Sequence, residues 1–365
     1  MRVALLALLH LSIWLHQTGS TELGCRDENG NLVDWYYLYK LPEKVAAGRS
    51  ETAGLHYTFV TAGQPSAGWQ LSARNVNESE SIPGRTVGPV LGAKNLLAVL
   101  YNDEPPEGKT DGLRGHTKGV VATDGTSGFW LIHSVPKYPP ELGQEYHYPN
   151  TGRMYGQSFL CVSFGADQMD AIGGQLVLNE PHVYSYHVPD ELRERFPKLV
   201  EATRMKTDSK PPHWKVLQLR SRAGVTFNSF AKNRYFKKEL YADLIAPSLQ
   251  SNLLVESWQH GTGNLPSDCS KPKWTVLNIE GVTIGQQFRF ETLQDHSKWA
   301  VSGDSERRFI CVGDINRQEH QKVRGGGSVC SELPDVVAAY AGSVGSVESC
   351  PKPRFDFSFL RFIQK

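Results

Sequence analysis

The sequence predicts a mixed α/β (α+β) protein made of two sheet-containing halves flanked by helices, and three observations carry that expectation. Short runs of β-branched and aromatic residues separated by turn chemistry dominate its 365 residues. Helical periodicity appears in only a few segments. A His-x-Lys element, with apolar stretches on both sides of a following turn, occurs in each half of the chain.

Residues 1–20 begin with Arg2, run mostly apolar over 3–14 and reach the small residues Thr18, Gly19 and Ser20, which predicts a secretory signal peptide. The first half follows over 21–205. Its predicted strands are 34–40 after the Asn29-Gly30 turn, then 55–61, 96–101, 118–122 and 129–135, each rich in Val, Leu, Ile, Tyr, Phe or Trp. Apolar spacing predicts a helix over 189–203. A polar, proline-containing stretch at 206–212 then divides the chain, and the second half covers 206–365. There the spacing predicts helices from about 236 into the 253 region and over 333–341. At the end Phe355, Phe357 and Phe359 alternate as in a strand.

Charge narrows the function. With 39 basic and 38 acidic side chains the formal charge is +1 at pH 7, which argues against a strongly basic nucleic-acid binder at that pH. The count leaves 12 histidines neutral; around pH 5 exposed imidazoles become cationic and favour polyanions. No run beyond the leader has the ~18 apolar residues needed to span a bilayer, so no stable membrane association is expected. Six cysteines (Cys25, Cys161, Cys269, Cys311, Cys330, Cys350) in a chain with a secretory leader predict three disulfides, with the pairing left open by spacing. Asn77-Glu78-Ser79 is a glycosylation sequon and predicts an exposed loop.

The repeat carries the chemistry. His116-Thr117-Lys118 and His296-Ser297-Lys298 lie 180 residues apart, each followed by an Asp eight residues after the His (Asp124, Asp304) and a Phe thirteen after it (Phe129, Phe309). The triplets at His213 and His320 lack both features, with Ser221 and Thr226 or Ser328 and Leu333 at those offsets. Residues two apart on a strand share a face, so each imidazole and its ammonium point into one cleft. A phosphodiester suits such a site: the lysines stabilise the non-bridging oxygens, one imidazole attacks phosphorus and the other protonates the leaving oxygen. An ammonium beside each imidazole repels a divalent cation, so no metal and no cofactor is expected. HExxH, EF-hand, Walker and GxSxG motifs are absent from the sequence, and Gly108-Lys109-Thr110 lacks the earlier glycine of a P-loop. Asp295 beside His296 is a second candidate orienting group. Two basic stretches, 204–222 and 230–238 with Lys232, Arg234, Lys237 and Lys238, could track a DNA backbone, and Arg324-Gly325-Gly326-Gly327 could offer amides to a phosphate.

At these residues the chain resembles the deoxyribonuclease II family of acid deoxyribonucleases. The matches run through nearly the whole chain: Val33-Asp34-Trp35 with Tyr39-Lys40-Leu41-Pro42, Tyr101-Asn102-Asp103, the segments around both His-x-Lys elements, Phe129 through Pro136, Ser229-Phe230-Ala231-Lys232, Gly313-Asp314-Ile315-Asn316-Arg317 and Arg324 through Gly327. The resemblance implies a phospholipase D-like, pseudo-twofold fold with one active site between two halves. It implies metal-independent cleavage of DNA to 3'-phosphate and 5'-hydroxyl ends at acidic pH, and a lysosomal or secreted location. Catalytic roles fall on His116, Lys118, His296 and Lys298 through a phosphohistidine, with His116 taken as nucleophile and the reverse left open by symmetry. Asp124, Asp295, Asp304 and Asn316 are accessory candidates. The implied disulfides are Cys25 to Cys161, Cys269 to Cys350 and Cys311 to Cys330. Two departures stand out: Ala300 occupies a position where mammalian members often carry another cysteine, and the Lys-to-Asp spacing is one residue longer than the HxKxxxxD pattern. A phosphodiesterase acting on lipid head groups and an inactive DNA-binding or toxin relative are the competing readings. Intact His-x-Lys elements disfavour the second, and the protein is expected to be a monomer or homodimer.

Overall fold

The computed structural model describes residues 22–45, 53–270, 274–304 and 306–350; the leader and the Phe-rich C-terminal run lie outside them. Strand β1 (Trp35–Lys40) is buried on both faces, and its side chains divide by the period of two. Trp35, Tyr37 and Tyr39 enter a core shared by both halves, whereas Tyr36 and Leu38 enter an outer core of the first half. β1 is therefore a central strand, in accord with its aromatic sequence.

Around it the first half places β2 (Tyr57–Thr61), β3 (Gln70–Leu71), α1 (Ile82–Leu91), β4 (Leu97–Asn102), β5 (Lys118–Thr123), β6 (Ser127–His133), β7 (Gln157–Gly165), α2 (Ala166–Asn179), β8 (Val183–His187), α3 (Asp190–Arg193) and α4 (Pro197–Thr203). Its antiparallel sheet has the order β3-β2-β1-β7-β6-β5-β4-β8. The second half contributes β9 (Trp214–Arg220), β10 (Thr226–Lys232), a π turn at Tyr241–Ile245, α5 (Ala246–Leu249), β11 (Leu253–Glu256), β12 (Val276–Ile284), β13 (Phe288–Glu291), β14 (Trp299–Ser302), β15 (Ile310–Gly313), β16 (Gly326–Ser331), α6 (Pro334–Ala341) and β17 (Val344–Val347). Its main path runs β13-β12-β11-β14-β15-β16-β10-β9, with β17 pairing β12.

The centres of the two sheets repeat one another. In chain order β1, β4, β5, β6 and β7 correspond to β10, β11, β14, β15 and β16, and both sets are arranged first-fifth-fourth-third-second across the sheet. Helices follow the same rule: α1 and the Tyr241–Leu249 segment cover the outer cores, while Met169, Ile172 and Leu176 of α2 and Val336, Val337 and Tyr340 of α6 fill the shared core. The halves depart from one another at an edge, where β12 joins β11 in parallel and β8 joins β4 antiparallel. The three disulfides join Cys25 to Cys161, Cys269 to Cys350 and Cys311 to Cys330, the pairs that the resemblance implies.

The predicted strands appear with shifts of one or two residues, whereas the helices differ more. The predicted helix over 189–203 is two helices, because Pro197 cannot donate to a preceding turn and opens α4 instead. The segment from 236 to 253 is a π turn followed by the short α5. Sequence reasoning passed over α1 and α2, whose Pro83, Gly84, Gly88, Pro89, Gly173 and Gly174 mask their periodicity.

Candidate active site

Both His-x-Lys elements lead into equivalent strands, and each is registered on the other half. The His116 amide donates to the Gly325 carbonyl at 2.9 Å, and its ring Nδ1 bonds the Asp314 carbonyl. A carbonyl can only accept, so Nδ1 carries the hydrogen and Nε2 keeps the lone pair when the ring is neutral. The His296 amide donates to the Gly156 carbonyl at 2.9 Å, and the Lys298 amide donates to Ser158 Oγ at 3.3 Å. The His296 ring stacks on Tyr155, with centroids 4.0 Å apart and planes 7° apart, and meets Trp258 at 4.6 Å. Its buried Nε2 has no protein hydrogen-bond partner among the described residues.

Lys118 and Lys298 both act on each of the two imidazoles, and Lys118 acts on Lys298 in turn. Burial pushes the His296 imidazole down to about 2, and Lys298 and Lys118 push the same way. Burial also holds His116 well below the ordinary imidazole range; Asp103 opposes this, while Lys118, Arg324 and Lys298 add to it. Lys298 is lowered to about 8 by burial and then by the Lys118 ammonium. Lys118 is bonded to Asp103 and lies 3.6 Å from Glu104. Arg324 joins the same carboxylate, with Nη2 2.9 Å from Asp103 Oδ2. Burial raises the Asp103 carboxyl, but Lys118, His116 and Arg324 outweigh it and hold the group below the ordinary range.

Beneath each element the middle residue donates to a buried carboxyl group. Thr117 Oγ1 bonds Asp314, whose other oxygen accepts from the Gly327 amide at 3.0 Å. Ser297 Oγ donates to Asp295 at 2.7 Å, and the Tyr39 hydroxyl bonds the same oxygen. Burial raises both carboxyl groups, Asp314 to about 6. Asp295 thus holds the backbone beneath His296.

Other predicted residues lie elsewhere. Asp124 sits in the β5–β6 turn, about 20 Å along the strand from Lys118, and accepts from the Thr126 and Ser127 amides at 2.7 and 2.8 Å. Asp304 binds the Asn252 amide at 2.7 Å, fastening the turn that precedes β11. Both perform turn chemistry. Lys232 is fully buried and bonds main-chain carbonyls, Arg234 pairs with Glu180 at 2.9 Å, and Lys237 and Lys238 are exposed. Asn316 is buried, with its Oδ1 unpartnered among the described residues. Asn77 is exposed, its Oδ1 accepting from the Tyr148 amide at 2.8 Å. Sequence reasoning missed Tyr155, Trp258, the Asp314 carbonyl and the role of Asp103. Of these, Asp103 and Asp314 lie inside recognised motifs, but a motif does not say which cation a carboxylate meets.

Two His-x-Lys elements, each seated by its histidine amide on a carbonyl of the other half, are in keeping with a phosphodiester hydrolase. The chain belongs to the deoxyribonuclease II family: the family model described as Deoxyribonuclease II matches residues 24–350. Relatives include Plancitoxin-1 of Acanthaster planci, 38% identical over 339 residues that cover 91% of this chain and 93% of that protein. Deoxyribonuclease-2-alpha of Sus scrofa is 38% identical over 343 residues, 92% and 93% of the two chains. Deoxyribonuclease-2-beta of Homo sapiens is 35% identical over 339 residues, 91% and 93%.

Proposed function

We propose that this protein is an acid endonuclease that hydrolyses DNA without a metal ion, leaving 3'-phosphate and 5'-hydroxyl ends. The observation that carries this reading is the crosswise seating of the two His-x-Lys elements, whose His116 and His296 amides each bond a carbonyl of the other half. His116 Nε2 attacks phosphorus, and the P–O5' bond breaks as His296 gives its proton to the departing 5'-oxygen. The 3'-phosphate is then carried on His116. Neutral His296 takes a proton from water, hydroxide attacks phosphorus, and the P–N bond breaks to free His116. Lys118, Lys298 and Arg324 face the charge on the non-bridging oxygens. The Asp314 carbonyl supports His116 as the nucleophile, since it directs the lone pair to Nε2. The predicted leader, the three disulfides and the sequon suit a secreted or lysosomal protein.

The test is cleavage of plasmid DNA at pH 5 in EDTA by wild type, His116→Ala and His296→Ala. Wild type should cut, and each variant should lose at least about 10³-fold in kcat with its melting temperature little changed. Near wild-type turnover in either folded variant excludes the paired-histidine mechanism, and loss of wild-type activity in EDTA that a divalent ion restores excludes the metal-free one.

A further inference from the structure

Two fully buried lysines take no part in this chemistry. Lys40 closes β1 and Lys232 closes β10, equivalent strands of the two sheets. A buried ammonium ordinarily neutralises a carboxylate, yet both of these direct their donors to main-chain carbonyls. Lys40 Nζ donates to the Arg153 carbonyl at 2.8 Å and to that of Tyr155. Lys232 Nζ donates to the Gln321 carbonyl at 2.9 Å and to that of Arg324, with Lys322 at 3.5 Å. Asp295 and Glu43 favour the charged form of Lys40, as Glu239 and Glu180 do that of Lys232.

The carbonyls so held are informative. Tyr155 precedes Gly156 and Arg324 precedes Gly325, and these glycines supply the carbonyls that receive the His296 and His116 amides. Tyr155 also stacks on His296, and Arg324 shares Asp103 with Lys118. Each lysine therefore fixes a short loop of its own half, and that loop sets the catalytic histidine of the other. An ammonium suits this use, because one small charged centre satisfies two or three converging carbonyl dipoles that a neutral side chain leaves unpaired.

We propose that Lys40 and Lys232 are positioning residues that act crosswise: Lys40, in the first half, registers His296 of the second, and Lys232, in the second, registers His116 of the first. The inference rests on the two-histidine reading for its kinetic consequence, but its geometric part needs no turnover. The experiment records the imidazole ¹⁵N resonances of the full-length protein without substrate, alongside kcat and KM on DNA, for Lys232→Met and Lys40→Met. Lys232→Met should shift the His116 resonances and leave those of His296 in place; Lys40→Met should do the reverse. Each should lower kcat by about 10²-fold, as a displacement near 1 Å does, with KM within about threefold.

If removing a buried charge prevents folding, Lys232→Arg and Lys40→Arg decide the matter. The guanidinium keeps the charge but is wider and planar, so these variants should fold, show the same crosswise shifts and lose about tenfold in kcat. Arg variants with wild-type resonances and kcat overturn the proposal, as do Met variants that shift the histidine of their own half or both histidines equally. Activity persisting in His116→Ala removes the two-histidine mechanism yet leaves the crosswise shifts to stand or fall by themselves.

Discussion

A single carbonyl decides which nitrogen of the neutral His116 ring carries the lone pair. Because Asp314 offers its main-chain oxygen to Nδ1, the neutral ring keeps its lone pair on Nε2. The repeat made the histidines and lysines legible, since their residue types and spacing are written in both halves. The carbonyl was not legible, for a main-chain acceptor has no residue signature and Asp314 lies 198 positions from His116. Asp124 and Asp304 were conspicuous at matched offsets for a different reason: Asp124 binds the amides that follow it in its own turn, and Asp304 fastens the Ser251-Asn252 turn 52 residues earlier. The lysines yield a kinetic prediction. Lys118→Ala or Lys298→Ala removes one charge among many contacts to a long polyanion, so KM should change by less than about threefold while kcat falls about 10²–10³-fold. Steady-state kinetics on a defined duplex checks this, and a change confined to KM would place the ammonium groups outside the transition state.

At the scale of the element, the strands were readable because aromatic and β-branched runs between turns have few alternatives. α1 was hidden because Ser81 caps it and Pro83 starts it, yet Gly84, Gly88 and Pro89 argue against a helix by propensity. Packing of Ile82, Val87 and Val90 into the outer core overrides that preference. The start of β16 shows how closely the halves approach. A Cβ on Gly325 would collide with the Asn179 carbonyl at the end of α2. Gly325→Ala should therefore cost about 1–3 kcal/mol and, by moving the carbonyl that holds the His116 amide, lower kcat further than the small loss of stability explains. Urea denaturation and kinetics on one preparation separate the two effects, and an Ala variant with wild-type values for both would mean that the contact relaxes without reaching the site.

Across the whole molecule, burying two imidazoles beside three cations links proton and phosphate binding. In the free protein burial favours the neutral form of both rings, holding His116 well below the ordinary imidazole range and His296 down to about 2. As pH falls below about 6.5 the unfolded chain takes up protons that these folded histidines refuse, so their contribution to stability falls with pH. Asp314 has the opposite sign: raised from 3.8 to about 6, it keeps a proton in the fold that the unfolded chain releases, and it adds stability as pH falls through that interval. A phosphate anion favours imidazolium, so binding inorganic phosphate at pH 5 should be accompanied by proton uptake. Calorimetry in buffers of different ionisation enthalpy should show this uptake, and the rise in melting temperature with phosphate should be larger at pH 5 than at pH 7.5. Equal heats in all buffers would mean that neither histidine is recharged by the ligand.

The reciprocal attachment of the two histidines also bears on how the protein is made. A growing chain that has emerged only through Glu256 already carries His116 and Lys118, but neither Asp314 nor Gly325 yet exists to receive the ring and the amide. His296 in turn finds its seat only when the loop ending at Gly156 is already in place. No fragment short of residue 325 holds the carbonyl that receives the His116 amide, so this seat forms only after much of the second half has been made. Chain order thus delays assembly: the half-made product carries its first His-x-Lys element but waits for Asp314 and Gly325 to seat it.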